Sequence, residues 1–329
     1  MILLQHRTAA GERQVLAGTD GTHRAVRGFA TTRELAQAAI ADGKKLAETV
    51  SEAELGEAVD IAEELAAGRL LPAIDHPDPA HLYLTGTGLT HLGSAEGRDR
   101  MHKAAASGDA TDSMRMFLEG FEGGKPADGA IGQQPEWFYK GSGHNLVSPE
   151  GALDRPSYAK DGGEEPEIAG IYLIGPDGTP HRLGFCLANE YSDHVTEKHN
   201  YLWLAHSKLR QASLGAELLT GELPQDIRGT ARIVRDDAPL WEKPFLTGEA
   251  NMAHTVANLE HHHFKYAVFR QPGDVHVHFF GTSTASFADD VRTQDGDRFE
   301  ISAPPFALPL RNTLRVDGEA ETPVRVAAL

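Results

Sequence analysis

Three acidic residues in one stretch, "GGEEPEIAGIYLIGPDGTPHRLGFCLANEYSDH" at 162–194, have the spacing to share a cation. Glu165 and Glu167 are two apart, and on a strand that spacing turns both side chains to one face. Glu190 ends the apolar run that follows, so the stretch reads as a hairpin with acids at its open end. Like charges this close repel unless a cation or a proton separates them. Charged oxygen ligands suit a hard divalent ion, Mg²⁺, Mn²⁺ or Ca²⁺. Mg²⁺ keeps several waters and leaves room for an oxygen-rich substrate. The plainer reading is an acidic loop edge with Glu165 and Glu167 solvated, as charged side chains mostly are. Glu190 argues against it, because it follows a strand that should be buried.

Further groups with chemistry lie on both sides of this stretch. Lys208, in "LAHSKLRQASLGAEL", follows Glu190 by 18 residues. Burial beside a cation lowers a lysine's pKa and makes it a base; the ordinary reading is a surface lysine. His91 closes the Gly-rich segment "LTGTGLTHLG" and is suited to proton transfer near neutral pH, although the chain has 17 histidines and most serve packing. "QPGDVHVHFFGTSTASF" turns at Pro-Gly-Asp into a strand that ends in small hydroxyl residues, where backbone N–H groups can hold a carboxylate. His276 and His278 in that strand, and the "HHHF" run at 261–264, lack cysteine partners and zinc spacing, so they read as packing. Cys186, inside an apolar strand, reads as a small buried side chain.

The elements that must carry these residues are mostly strands. "MILLQHR", "RQVLAGTD" and "THRAVRGF" open the chain as short strands around the turn signal "AAGE". "TTRELAQAAIADGKKLAETV" has a threonine cap and helical spacing, and "SEAELGEAVDIAEELAAGRLL" starts with a Ser-x-x-Glu capping box, so a second helix is predicted from Ser51. "LPAIDHPDPAH" is Pro-rich and marks a boundary, giving domains at 1–75 and 76–329. Beyond it, "HLYLTGTGL", "EIAGIYLIG", "HRLGFCLANEY", "GTARIVRDD", "HFKYAVFR", "DVHVHFFGTS" and "DRFEISAPP" read as strands. One helix and a Gly-rich loop occupy 105–135, and a loop of that length often covers a site. The fold class expected is α+β, mainly β, in a closed or folded-over sheet.

Bulk properties limit the partners. The chain has 329 residues, is 40% hydrophobic and 24% charged, and carries a formal net charge of −17. That charge disfavours nucleic acid and anionic membranes, while a bound cation can still attract a small acid. A single cysteine allows no intrachain disulfide, in keeping with a cytoplasmic location. No basic segment precedes an apolar core at the N-terminus, and no apolar run reaches 18 residues, so neither a signal peptide nor a membrane span is expected.

In combination these stretches resemble the fumarylacetoacetate hydrolase family over about residues 80–315. The colinear set is His91 on a Gly-rich strand end, "WFYKGSG", the E-x-E pair, "GFCLANEYSDH", a lysine, "PGD…GTS" and "GDRFEI". In that family an N-D-x-S-x-R-D strand end supplies a metal carboxylate, and "NEYSDH" has Glu190 at the matching place. The resemblance implies Glu165, Glu167 and Glu190 as ligands of Mg²⁺ (or Mn²⁺ or Ca²⁺) and Lys208 as the active-site lysine. It implies Lys140, Ser142 and Thr282 as substrate contacts, Thr282 through the family's T-G-T-P turn. It also implies a mixed β-roll catalytic domain, a small N-terminal α+β domain and a homodimer.

Hydrolytic members carry His-x-x-Glu, whereas this chain reads His91-Leu-Gly-Ser94, with Glu96 the nearest acid. "TGTGLTHLGSA" and "YLWLAHSKLR" look closer to the 2-keto-3-deoxy sugar-acid dehydratases. The activity so implied is dehydration of a 2-keto-3-deoxy-pentonate to 2-oxoglutarate semialdehyde, with Lys208 as base and His91, or a water held by Glu96, as acid. The alternatives are C–C hydrolysis of an acylpyruvate or diketo acid, and non-catalytic binding of a sugar acid.

Overall fold

Alternating apolar residues build strands that are buried on both faces. In Ile2–Arg7, Leu3 joins a core with Leu35, Leu46 and Val50, while Leu4 on the other face packs with Leu16, Leu70 and Ala216. The computed structural model describes residues 1–19, 21–93 and 111–329. Ser94 and Glu96 lie outside the described residues.

Twelve described strands form one mixed sheet. Its main path runs Leu55–Val59, Thr22–Val26, Arg13–Thr19, Ile2–Arg7, Leu218–Leu219, Pro180–Asn189, Pro166–Ile174, Val275–Phe279, Leu82–Gly86 and Phe138–Ser142. The N-terminal strands therefore continue into the strands that carry the acids. Five more strands, Ala238–Thr247, Ile227–Arg235, Arg298–Ser302, Leu310–Val316 and Ala152–Arg155, form a second sheet. The fold is mixed and mainly β, as expected.

Pro166–Ile174 is buried along its whole length because it separates two cores. Ala169, Ile171 and Leu173 face the core beneath the helices Thr32–Ala41 and Leu46–Glu52. Ile168 faces the other way and packs with Phe185, Ile233, Phe245 and Phe299 between the sheets. Burying the leucine, isoleucine and phenylalanine side chains stabilises each by roughly 1.5–3 kcal/mol relative to exposure.

Three predicted elements differ. The helix expected over "TTRELAQAAIADGKKLAETV" is two, Thr32–Ala41 and Leu46–Glu52. No helix starts at Ser51, whose hydroxyl donates to the Glu48 carbonyl instead of capping. The helix Leu46–Glu52 ends there, Leu55–Val59 pairs as an edge strand with Thr22–Val26, and Asp60 caps a short helix, Ile61–Ala66, by accepting from the Ala62 and Glu63 N–H groups. The segment "HFKYAVFR" is not a strand. It contains the end of the helix Val256–Phe264 and a 3₁₀ turn at Ala267–Phe269, whose aromatic side chains pack on Trp137, Tyr83 and one another. Among the described residues, no helix is long and apolar enough to cross a membrane.

Candidate metal centre and active site

Strand register brings the three acids together. Glu167 lies opposite Ala188 and Pro166 opposite Asn189, and the pairing continues as the Glu190 N–H donates to the Glu165 carbonyl at 3.1 Å. Glu165 and Glu190 are thus a directly opposed acidic pair at a strand end. The neighbouring strand pairs Phe279 with Ala169, so Gly281 reaches Glu167 and its N–H donates to Oε2 at 2.7 Å. Gly281 has φ +91°, and a Cβ there would strike Thr90 Oγ1 and the Thr87 carbonyl. Leu82–Gly86 and Phe138–Ser142 finish the same end of the sheet, with Gly86 opposite Phe138.

One carboxylate oxygen of each of Glu165, Glu167 and Glu190 lies within 4.8 Å of the others, and all three residues are buried. Lys208 bridges two of them, donating to Glu165 Oε1 at 2.5 Å and Glu190 Oε2 at 3.0 Å. It ends the helix Leu204–Lys208, which is held by the Arg210 guanidinium donating to Asp193 at 3.2 Å. Burial pulls the Lys208 ammonium down, but Glu165 and Glu190 outweigh it and raise it well above its usual value. Burial pushes Glu165 up, yet Lys208 and His194 hold it well below the usual carboxylate range. Burial, then Glu165, brings Glu190 up to about 7. Burial raises Glu167 well above the usual carboxylate range, reinforced by Glu190 and Glu165. Glu167 Oε1 is buried with no hydrogen-bond partner. An all-oxygen donor set with an orphaned, repelled carboxylate fits a hard divalent cation.

The other sequence candidates occupy different roles. Lys140 is fully buried and donates to the Tyr191 carbonyl at 2.5 Å, the Lys208 carbonyl at 3.0 Å and Glu190 Oε1 at 2.7 Å. With three donors engaged, it orients Glu190 and has none left for a substrate in this arrangement. Ser142 caps the turn Gly143–Asn145 through the His144 N–H. Thr282 follows Gly281 at the edge of the acidic group, and its hydroxyl accepts from the Thr284 N–H at 3.2 Å. His91 is buried, and burial lowers its imidazole to about 3. The Thr90 hydroxyl is spent on the Phe280 carbonyl, so His91 Nδ1 donates to Thr90 while Nε2 accepts from Thr247 at 2.9 Å. His91 therefore has neither a free proton nor a free lone pair. His276 and His278 are buried among aromatic rings, as packing residues. Cys186 is free and buried.

Two residues emerge only in three dimensions. His194, which lies in "NEYSDH", sits 3.0 Å from Glu165 Oε1 and 3.5 Å from Asp161. Burial disfavours its charge, but Asp161 and Glu165 outweigh it and lift the imidazole to about 10. Glu136 is buried just before the Phe138–Ser142 strand, and its carboxylate rests against Gly88, where a Cβ would come within 2.7 Å of Oε1. Burial is the main reason it rises to about 7; Lys208 pulls it down, and Glu197, Glu165 and Glu190 push it up. Burial and Glu136 together push the nearby Tyr201 phenol up to about 12. Glu136 stands alone in "QQPEWF", so no spacing marks it; the environment alone does.

No family model matches this sequence, and no curated protein matches it. Solved structures do. A 2-keto-3-deoxy-D-arabinonate dehydratase in its apo form is 18% identical with a TM-score of 0.70, covering 97% of this chain and 100% of that one. The structure complexed with magnesium and 2,5-dioxopentanoate is 17% identical with a TM-score of 0.71, at 97% and 100% coverage. A 5-carboxymethyl-2-hydroxymuconate delta-isomerase from Mycobacterium smegmatis is 14% identical with a TM-score of 0.57, covering 96% and 100%. At such identities the likeness is one of fold: this chain has the fumarylacetoacetate hydrolase-like fold that these dehydratase and isomerase structures share.

Proposed function

We propose that this chain is a metal-dependent hydro-lyase that dehydrates a 2-keto-3-deoxy-pentonate to 2-oxoglutarate semialdehyde. The observation that carries the reading is the buried Glu165, Glu167 and Glu190 group with Lys208 wedged into it. The fold shared with a dehydratase solved with magnesium and 2,5-dioxopentanoate supports it. The three carboxylates would hold the cation. When bound, a divalent cation supplies Lewis acidity that stabilises an enolate of a 2-keto acid.

The chain's own residues do the rest. Lys140 fixes Glu190, and the Gly281 N–H fixes Glu167. Lys208 is protonated while Glu165 and Glu190 are its counter-charges; with those carboxylates engaged elsewhere it loses that support and serves as the base at C3. Glu136, kept protonated by burial, serves as the acid. The proton on C3 passes to Lys208, the C3–C4 double bond forms, and the C4 hydroxyl leaves as water with the proton from Glu136. The unsaturated keto acid then tautomerises to the 5-aldehyde. Glu136 takes the place that the sequence reading gave to His91 or to a water on Glu96.

The test is incubation with Mg²⁺ and 2-keto-3-deoxy-pentonate in both C4 configurations, following semialdehyde formation. Pyruvate as product would replace the proposal with C–C cleavage. Binding without turnover would make the chain a sugar-acid binding protein.

A further inference from the structure

Glu136 sits in a stretch without regular structure, between the helix Asp112–Gly123 and the strand Phe138–Ser142. A general acid must be held in place to within about an ångström. Here the holding comes from one face of the helix Val256–Phe264 and its cap. Asn258 is buried; its Oδ1 accepts from the Gly132 N–H at 2.9 Å and its Nδ2 donates to the Gln133 carbonyl at 2.8 Å. One turn on, His262 Nε2 meets the Gly132 carbonyl at 3.0 Å. Its Nδ1 accepts from Lys265, so Nε2 carries the proton and donates. Lys265 also donates to Gln134 Oε1 at 2.6 Å.

The next residue along the helix grips the other side of Glu136. The Trp137 indole N–H can only donate, and it meets His263 Nδ1 at 3.3 Å. His263 must then carry its proton on Nε2, which lies 3.0 Å from His276 Nδ1 on the Val275–Phe279 strand. Glu136 is thus bracketed: Gly132, Gln133 and Gln134 before it and Trp137 after it are all bonded to one short helical segment. A helix and its C-cap that spend four side chains, Asn258, His262, His263 and Lys265, on a single six-residue loop form a clamp, and the buried acid lies within that loop.

We infer that the helix Val256–Phe264 is a positioning element for Glu136, with Asn258 as its central positioning residue and the Trp137–His263 contact as its second grip. The inference rests on the dehydratase reading for its catalytic meaning, but the clamp itself has a readout independent of turnover. Asn258→Ala should release the Gly132 amide, speeding its hydrogen exchange by at least about tenfold. In the dehydration assay it should lower kcat by about 10- to 100-fold, the scale of a misplaced catalytic group. KM and Mg²⁺ affinity by calorimetry should stay within about twofold, because the acids lie on other strands.

Trp137→Phe keeps an aromatic side chain but removes the indole N–H together with the five-membered ring that bears it, so it supplies the same kcat test if Asn258→Ala does not fold. A folded Asn258→Ala with wild-type Gly132 exchange overturns the clamp. So does a kcat unchanged in both variants, or a KM and Mg²⁺ affinity that change as much as kcat. If the wild type fails to dehydrate the sugar acid while Gly132 exchange still responds to Asn258→Ala, the substrate reading falls and the clamp stands.

Discussion

Glu136 and Lys208 are both buried ionisable groups, and burial is the largest influence on each, yet they end on the protonated side for different reasons. Glu136 is neutral because its charge is poorly solvated and faces Glu197, Glu165 and Glu190. Lys208 is charged because two carboxylates touch it. An acid with a pKa raised to about 7 is present in its donating form below that pH and is lost as pH rises through it. The alkaline limb of the kcat profile should therefore begin near pH 7 and fall roughly tenfold per unit above it, while Lys208, which must be unprotonated to act as the base, sets the acid limb. Glu136→Gln cannot donate; it should lose about 10²-fold or more in kcat and abolish that alkaline limb. An unchanged limb in a folded Glu136→Gln assigns the proton to another group. Lys208→Arg keeps a cation that stays protonated at any working pH. It should bind substrate and lose turnover by roughly 10²-fold or more. Exchange of the C3 hydrogen in D₂O, read by NMR on a 2-keto acid lacking the C4 hydroxyl, isolates the base. Exchange at the wild-type rate in Lys208→Arg would make Lys208 a charge partner only.

At the scale of elements, the site is a set of strand ends, and glycines decide how close they come. Gly88 is such a point: an added Cβ would meet Glu136 Oε1 at 2.7 Å and Cδ at 2.9 Å. Those atoms are the far end of a flexible side chain, so the collision is relieved by moving the acid rather than the backbone. Gly88→Ala should change stability by only about 1 kcal/mol, while kcat falls about tenfold or more. A Gly88→Ala enzyme with full kcat would show that Glu136 can shift without consequence. The same logic explains what could be read beforehand. The acids were legible because E-x-E on a strand and Glu190 at the next strand's end have a fixed geometric meaning, and pairing of Glu167 with Ala188 realises it. The first three strands, up to Val26, and the Thr31 cap followed local rules. Glu136, Asn258 and His194 were not legible in this way, because their roles arise from neighbours distant in sequence. For Lys140 the strand position was visible, and the three acceptors that engage its protons here were not. Ser51 satisfied a capping pattern, yet the edge pairing of Leu55–Val59 overrode it.

Across the whole molecule, the acidic group is a weak point that folding keeps. Three carboxyl groups are buried at a junction of central strands in a chain whose formal charge is already −17, and burial and mutual repulsion oppose the ionisation of Glu167 and Glu190. Lys208, Lys140 and His194 offset part of that charge, and Glu167 Oε1 still has no partner. A ligand that binds only the folded state stabilises it by about 2.7 kcal/mol at a hundred times its Kd. An unfolding entropy of roughly 2.1 cal/mol/K per residue, taken over 329 residues, converts this to a rise in Tm of about 4 °C. Mg²⁺ should therefore raise Tm by about that much, and a chelator should reverse it. Glu167→Ala removes one ligand together with a buried carboxyl whose ionisation burial, Glu190 and Glu165 all oppose. Its Tm without metal should equal or exceed that of the wild type, while its response to Mg²⁺ disappears. The two signs separate a metal centre from a merely acidic pocket. If Glu167 is only a buried, repelled acid, Glu167→Ala gains stability and the wild type ignores Mg²⁺; if the three carboxylates bind the ion, the wild type gains most when Mg²⁺ is present. Unchanged Mg²⁺ affinity in the alanine variants of Glu165, Glu167 and Glu190 would place the ion elsewhere.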